Sequence, residues 1–124
     1  MKQYTTPEQT AKLIELGFEK PKSISGYRQR GPYEYDAETN TKMVVYDDTQ
    51  YPIYAYSIGE LIEMLPPIIV WKRKNLASTI ARTTFNSFVS YAELDGTPHI
   101  VVNSAELIDA LYDMVVKLKE EEVI

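Results

Sequence analysis

A tryptophan and three cations stand together in WKRKN, residues 71–75. Lysine and arginine beside an aromatic ring can hold phosphate groups and stack a nucleobase. On a β-strand, however, alternation puts Trp71 and Arg73 on one face and Lys72 and Lys74 on the other. Lysines are also common on edge strands, where their charge discourages association between sheets. We therefore predict an edge strand or a solvated strand, and keep the binding of nucleic acid or a nucleotide-like ligand as the alternative.

Tyrosine is unusually abundant, at 10 of 124 residues. Its side chain offers a large contact area with a polar tip and is enriched at protein interfaces. Residues 19–42 are rich in proline, glycine and polar groups and are predicted as one long polar loop, a kind of segment that is often functional. The predicted contact surface combines tyrosines and arginines of this loop with the basic segment: Tyr27, Arg28, Arg30, Tyr33, Tyr35, Trp71, Lys72, Arg73 and Lys74.

Two further features of the sequence resemble parts of reactive sites. His99 is the only histidine and follows a proline in a predicted strand, so we interpret it as a strand-surface residue. Residues 36–47, DAETNTKMVVYD, follow the acidic spacing of a calcium loop. Thr41 occupies the position that needs glycine, and Asp47 is shorter than the expected glutamate. This stretch is better interpreted as a polar turn that leads into a strand.

Cysteine is absent, which excludes disulfides, thiolate metal sites and a cysteine nucleophile. The sequence also has no glycine-rich phosphate loop, zinc ligand set or nucleophile motif. We therefore predict no catalytic, metal-binding or cofactor-binding residue and no cofactor, and an enzyme is the third-ranked interpretation.

Three helices are indicated by caps and apolar spacing. Thr6 with Gln9, and Ser57 with Glu60, form the capping-box pattern before two short helices. Asn103 or Ser104 is expected to cap a long C-terminal helix. Its apolar stripe predicts that one face is buried: Leu107, Ile108, Leu111, Tyr112, Val115 and Leu118.

Strand-like sequence covers residues 42–48, 51–58 and 68–102. Asp95-Gly96 lies between two such stretches and favours a tight type I′ hairpin turn. Neighbouring strands without helical crossovers predict an α+β fold with an antiparallel sheet of three to four strands. The two short helices and the long C-terminal helix should pack on that sheet, and the length fits a single domain over residues 1–124.

The net charge of −5 is unevenly distributed, with +2 over residues 57–92 and −6 over residues 93–124. An acidic chain is disfavoured as a general DNA binder, because neutralisation of phosphates drives that binding. The first residues lack the apolar core of a signal peptide, and no apolar run is long enough for a membrane span. We therefore expect a soluble, cytoplasmic protein without membrane association.

Three blocks, LIELGFEKP, YSIGELIEMLP and SAELIDALYDMVVKLKEEEVI, together resemble small uncharacterised proteins of bacterial prophages and mobile elements in gut bacteria. The resemblance implies a compact α+β fold and no activity, because the group has no assigned one. A phage-like origin would make a host protein the expected partner. The sequence as a whole predicts a small non-enzymatic binding or protein-interaction module.

Overall fold

A computed structural model describes residues 2–29, 33–36, 41–44 and 50–124, with side chains over 2–26 and 52–124. The elements follow one another along the chain as α1 Pro7–Glu15, β1 Ser23–Gln29, β2 Tyr33–Asp36, β3 Thr41–Val44, β4 Gln50–Ala55, α2 Ile58–Met64, β5 Ile68–Trp71, β6 Lys74–Arg82, β7 Ser87–Ala92, β8 Pro98–Ser104 and α3 Leu107–Glu120.

The predicted α+β fold is confirmed. Strands β5 to β8 form a four-stranded sheet in chain order, and each neighbouring pair is antiparallel. Helix α3 packs against β7 and β8, and α2 packs against α3. Two short helices and one long C-terminal helix are therefore combined with an antiparallel meander.

The chain separates into two compact units, one formed by residues 1–23 with 55–124 and the other by residues 24–54. In the second unit β1 pairs with β4, and the antiparallel β2–β3 pair lies between them in the sequence. The segment 19–42 is thus not a loop throughout, because β1 and β2 lie in it. Their hydrogen-bonding partners come later in the chain, so the local proline and glycine content concealed them. The assignment of residues 1–124 to a single domain stays a prediction.

Both short helices begin with the predicted capping boxes. The Thr6 hydroxyl accepts a hydrogen bond from the Gln9 amide (3.1 Å), and the Thr6 amide donates to the Gln9 side chain (2.9 Å). Ser57 and Glu60 make the same reciprocal pair at the start of α2. These bonds satisfy backbone donors that have no partner inside the helix, so the local sequence alone places both helix starts.

The start of α3 differs from the prediction. The helix begins at Leu107 with Glu106 as N-cap, and no side chain caps it. Asn103 and Ser104 still belong to β8, where they pair with Phe88 and Ser87 of β7. The strand ladder therefore overrides the local capping preference of these residues.

One hydrophobic core joins the helices to the inner face of the sheet. Leu13 of α1 and Leu61 of α2 are fully buried in it. Most of the predicted α3 stripe is buried as well, with Leu107 and Tyr112 at its margin, and Ala110 and Met114 widen it. The core includes Leu76, Val89, Tyr91 and Ile100 from the sheet and Ile108, Leu111, Met114, Val115 and Leu118 from α3.

The β7–β8 hairpin forms at Asp95-Gly96, but its turn is not type I′. The Gly96 amide donates to the Glu93 carbonyl (2.9 Å), and the Glu93 amide donates to the Thr97 carbonyl (2.9 Å). Gly96 has a φ of 94°, whereas Asp95 is not among the residues with positive φ. This is the three-residue hairpin loop in which a type I turn is followed by a left-handed glycine.

Candidate functional site

The two faces of the β5–β8 sheet differ in exposure along β5, β7 and β8, whereas β6 beyond Leu76 is exposed or half-buried on both faces. Along β7, Ser87, Val89 and Tyr91 are buried, while the alternate residues Phe88, Ser90 and Ala92 are only partly covered. Helix α3 packs on the first set. We call the side covered by α3 the inner face and the opposite side the outer face.

The strand register shows which residues share the outer face. Ile68 pairs with Ala77 and Ala77 with Ala92, while Thr79 pairs with Ser90 and Ser90 with Val101. Several of these apolar side chains are open to solvent, since Ile68 is 62% exposed, Val70 69% and Val101 49%. The outer face thus presents apolar side chains that do not help to fill the core.

A groove of about 520 Å³ runs across this face. Small side chains from β6 and β7 line it together with larger ones from β7, β8 and the β7–β8 turn. Its lining consists of Ala77, Thr79, Phe88, Ser90, Ala92, Glu93, Leu94, Gly96, Pro98 and Val101. A depression lined in part by alanine, serine and threonine leaves room for side chains that another molecule would supply.

One carboxylate, Glu93, lies at the end of the groove and is held by two neighbours. Lys74 Nζ lies 2.9 Å from Glu93 Oε1, and His99 Nε2 lies 3.2 Å from Glu93 Oε2. Hydrogen bonds from Lys74 and then His99 lower the pKa of Glu93, and the charge of Lys74 adds to the effect. His99 is on β8 as the sequence predicted, and its contact with Glu93 makes it part of the groove rim.

The basic segment forms a turn rather than a continuous strand. Trp71 ends β5 and pairs with Lys74 at the start of β6, so Lys72 and Arg73 are the two turn residues. The predicted alternation of these cations between two faces is therefore wrong. The expected edge strand holds for Trp71 alone, because β5 is outermost in the sheet while Lys74 begins β6, which has a neighbouring strand on each side. Trp71 packs against the core, and Lys72 Nζ lies 5.7 Å from the centre of its ring.

Both turn residues adopt left-handed backbone conformations, with φ values of 48° for Lys72 and 68° for Arg73. This is the geometry of a two-residue type I′ turn, for which Asn-Gly is the preferred sequence. Residues with a Cβ adopt it at a cost of about 1–2 kcal/mol each. The β7–β8 turn places a glycine at its left-handed position and avoids that cost.

The tyrosine-rich part of the predicted contact surface lies in the unit formed by residues 24–54. Tyr27 and Arg28 are on β1, whereas Tyr33 and Tyr35 are on β2, opposite Val44 and Lys42. Arg30 lies outside the described residues. The contact role of these residues stays a prediction.

A smaller cavity of about 230 Å³ lies beside α2. Burial alone would raise the pKa of its Glu60, but hydrogen bonds from Ser23, from the Lys22 amide and from Ser57 outweigh burial and lower the pKa. The Tyr56 hydroxyl donates to the Glu19 carbonyl. These polar groups fasten residues 19–23 to α2, so their roles are structural.

No cluster of three or more potential metal-ligating side chains occurs within the part of the chain that the structure describes. In the calcium-like stretch, Asp36 pairs with Thr41 at the end of the β2–β3 ladder, and Thr41–Val44 form β3. The remaining positions, 37–40 and 45–47, lie outside the described residues.

The apolar outer face was not predicted from the sequence, although β5 carries one signal for it. Strand β5 reads IIVW, four apolar residues in succession, on an edge strand. A strand that is apolar on both sides is typical of a sheet covered on both faces. Only the register shows that Phe88 on β7 and Val101 on β8 share the outer face with Ile68 and Val70 of that strand.

Comparison of the chain with models of protein families, with curated proteins and with solved structures finds no match. Among the described helices, none has the length and apolar character needed to cross a membrane.

Proposed function

We propose that this protein is a small non-enzymatic protein-interaction module whose outer sheet face binds an apolar segment of another protein. The observation that carries the proposal is the exposed groove on that face. Contiguous exposed apolar surface in a folded protein commonly marks such an interaction site.

The chemistry of the face favours a protein segment as the bound partner. The outer-facing strand positions in the described sheet are apolar, small or uncharged: Ile68, Val70, Asn75, Ala77, Thr79, Ala81, Phe88, Ser90, Ala92, Val101 and Asn103. Charged residues make up 25% of the whole chain, so their absence from these strand positions is a local departure from its composition, with Glu93 lining only the end of the groove. Depletion of charge at the centre is typical of protein interfaces.

The energetics of the sheet support the same interpretation. Exposed apolar side chains such as Ile68 and Val70 contribute little to folding, because they remain in contact with water. A partner that covers these side chains would remove their apolar surface from water, and this burial would stabilise the complex. The face is therefore better suited to binding than to the stability of the isolated chain.

The direct test is selection from a random peptide library displayed on phage. The wild-type protein is expected to enrich peptides with an apolar centre, and Val101→Lys is expected to lose them because it places a charge in the groove. Phe85→Lys is the matched control, since Phe85 is 82% exposed but lies in the β6–β7 turn, outside the groove lining. Equal enrichment by wild type and Val101→Lys would contradict the proposal, as would no enrichment by either.

The three sequence blocks also lead us to propose that the natural partner is a bacterial host protein. Affinity capture from host lysate should use the wild type, Val101→Lys and Phe85→Lys in parallel. A host protein retained by the wild type and by Phe85→Lys but lost with Val101→Lys is the expected result. A set of captured proteins that does not depend on Val101 would contradict it.

A second candidate function is the binding of nucleic acid through the β5–β6 turn. The observation that favours it is that Lys72 and Arg73 are neighbours on one turn beside Trp71 instead of lying on opposite faces. Phosphate binding would make the affinity fall with salt, and stacking would make it depend on Trp71. We expect no binding of labelled single-stranded or duplex oligonucleotides at low salt, because the chain as a whole is acidic. Binding that Lys72→Glu with Arg73→Glu abolishes would establish the second candidate instead.

A further inference from the structure

We infer that the segment bound in the outer groove carries acidic side chains next to its apolar part, and that the β5–β6 turn binds them. This inference rests on the proposed function and specifies its partner: an apolar peptide segment continued by one or more carboxylates. It also places the acidic end of the segment at the end of the sheet that carries the β5–β6 and β7–β8 turns.

The strand register places the basic turn beside one end of the groove. The pairs Trp71 with Lys74 and Ala77 with Ala92 put the β5–β6 and β7–β8 turns at the same end of the sheet. Lys74 Nζ lies 2.9 Å from a carboxylate oxygen of Glu93, which lines the groove. A peptide leaving the groove at this end would therefore reach the turn within a few residues.

The charges at this end favour a carboxylate on the partner. Glu93 is held by Lys74 and His99, and the side chain of Asp95 accepts a hydrogen bond from the Thr97 amide (2.9 Å). Lys72 and Arg73 add two positive charges in the turn, next to a groove in which Glu93 is the one charged residue among the described lining residues. An acidic group is attracted there, whereas the rest of this acidic chain would repel it.

The backbone of the turn supplies an independent argument. Lys72 and Arg73 adopt left-handed conformations that favour asparagine and glycine, so their side chains are not explained by the needs of the turn. Strained positions of this kind cluster where the chain contacts a ligand. A contact made by the lysine and the arginine would account for residues that the fold alone disfavours.

An acidic peptide fits these observations better than a nucleic acid does. A polynucleotide would engage the turn but leave the apolar groove empty, and its regularly spaced phosphates would meet the negative charge of the chain. A peptide with apolar and acidic parts uses both surfaces at once. Binding of labelled oligonucleotides that depends on Lys72 and Arg73, together with no acidic bias among the selected peptides, would overturn the inference.

The test is to sequence the peptides that wild type and variants select from the phage-displayed random library, and to compare their acidic content. Wild-type protein should enrich apolar peptides with Asp or Glu concentrated on one side. A Lys72→Asn, Arg73→Gly double variant suits the turn geometry and should enrich apolar peptides without the acidic bias. Arg82→Asn is the matched control, because it removes an exposed cation at the other end of β6 and should keep the bias.

A synthetic peptide from the wild-type selection makes the test quantitative. We expect the double variant to bind it about three- to tenfold more weakly, the range for charge pairs at an interface rim. The loss should shrink as salt rises, because salt screens exposed charges. Apolar peptides without acidic bias from the wild type would overturn this inference and leave the proposed function intact. No enriched peptide at all would instead contradict the proposed function.

Discussion

The inner and outer faces of the β5–β8 sheet come from the same four strands, yet they contribute differently to the molecule. On the inner face, Val89 and Tyr91 are completely buried against α3 and the rest of the core. On the outer face, Ile68 and Val101 remain largely in water although they are just as apolar. Folding explains the inner residues, because their burial stabilises the native state. Folding does not explain the outer residues, which is why we propose that they contact a partner.

The two hairpin turns at the end of this sheet repeat the contrast. The β7–β8 turn has Gly96 where the backbone is left-handed, as a stable turn requires. The β5–β6 turn has a lysine and an arginine at such positions. One turn is suited to the fold, and the other keeps side chains that the fold disfavours.

The largest loss of stability is expected for a substitution in the core beneath the inner face. Leu111 is fully buried in the middle of α3, so Leu111→Ala should lower the free energy of unfolding by about 2–5 kcal/mol through lost burial and a residual cavity. Urea denaturation measures the change. Ile62→Ala on α2 is the control, because Ile62 is 42% exposed, and it should cost clearly less. Equal stabilities of wild type and Leu111→Ala would show that α3 does not pack as described.

Removal of one hydroxyl group from the inner face should lower the unfolding free energy by less than Leu111→Ala does. The hydroxyl of Tyr91 donates to the Pro66 carbonyl (2.6 Å), and Tyr91→Phe leaves that carbonyl without this donor. We expect a loss of about 1–3 kcal/mol in unfolding free energy. A thermal melt unchanged from wild type would show that the bond contributes nothing.

The same hydroxyl predicts a pH dependence. Burial raises the pKa of Tyr91 from 10.0 to about 12. The unfolded chain therefore loses this proton at a lower pH than the folded chain does, so stability falls as pH rises from 10 to 12. Wild type should lose more stability over this interval than Tyr91→Phe in parallel denaturation curves. Identical losses would contradict the raised pKa.

The comparison of the two turns predicts a variant that is more stable than the wild type. Lys72→Asn with Arg73→Gly should raise the unfolding free energy by about 1 kcal/mol, because both positions then suit the left-handed backbone. Gly96→Lys is the converse control and should lower stability, since it introduces a Cβ at a φ of 94°. If the double variant is less stable than wild type, the lysine and arginine support the fold rather than a ligand.

The smallest effect on stability is expected on the outer face. Val101 is half exposed, so Val101→Lys should change the unfolding free energy by less than about 0.5 kcal/mol. Urea denaturation beside the Leu111→Ala series checks this value. A loss approaching that of Leu111→Ala would mean that the outer face belongs to the core.

Features encoded by nearby residues were predictable from the sequence. The capping boxes at Thr6 and Ser57 each join residues three positions apart, and the apolar stripe of α3 follows the helical period. Asp95-Gly96 fixed the position of the hairpin, although the closing bond between Glu93 and Thr97 decided the type of turn.

Features that depend on distant partners were not predictable. Strands β1 and β2 need β4 and β3, and Asn103 and Ser104 stay in β8 because β7 pairs with them. Lys72 and Arg73 form a turn because Trp71 pairs with Lys74, which strand alternation does not reveal. The outer groove combines residues of β6, β7 and β8, so it exists only in the assembled sheet.

The most direct test of the account compares binding and stability in one variant. The dissociation constant of a library-selected peptide is measured by calorimetry with wild type, Val101→Lys and Phe85→Lys. A groove that binds the peptide predicts a loss of at least about tenfold in affinity for Val101→Lys, or about 1.4 kcal/mol. Its unfolding free energy should stay that of wild type, and Phe85→Lys should bind as wild type does. Unchanged affinity of Val101→Lys, with the variant fully folded, would contradict the assignment of the outer face to protein binding.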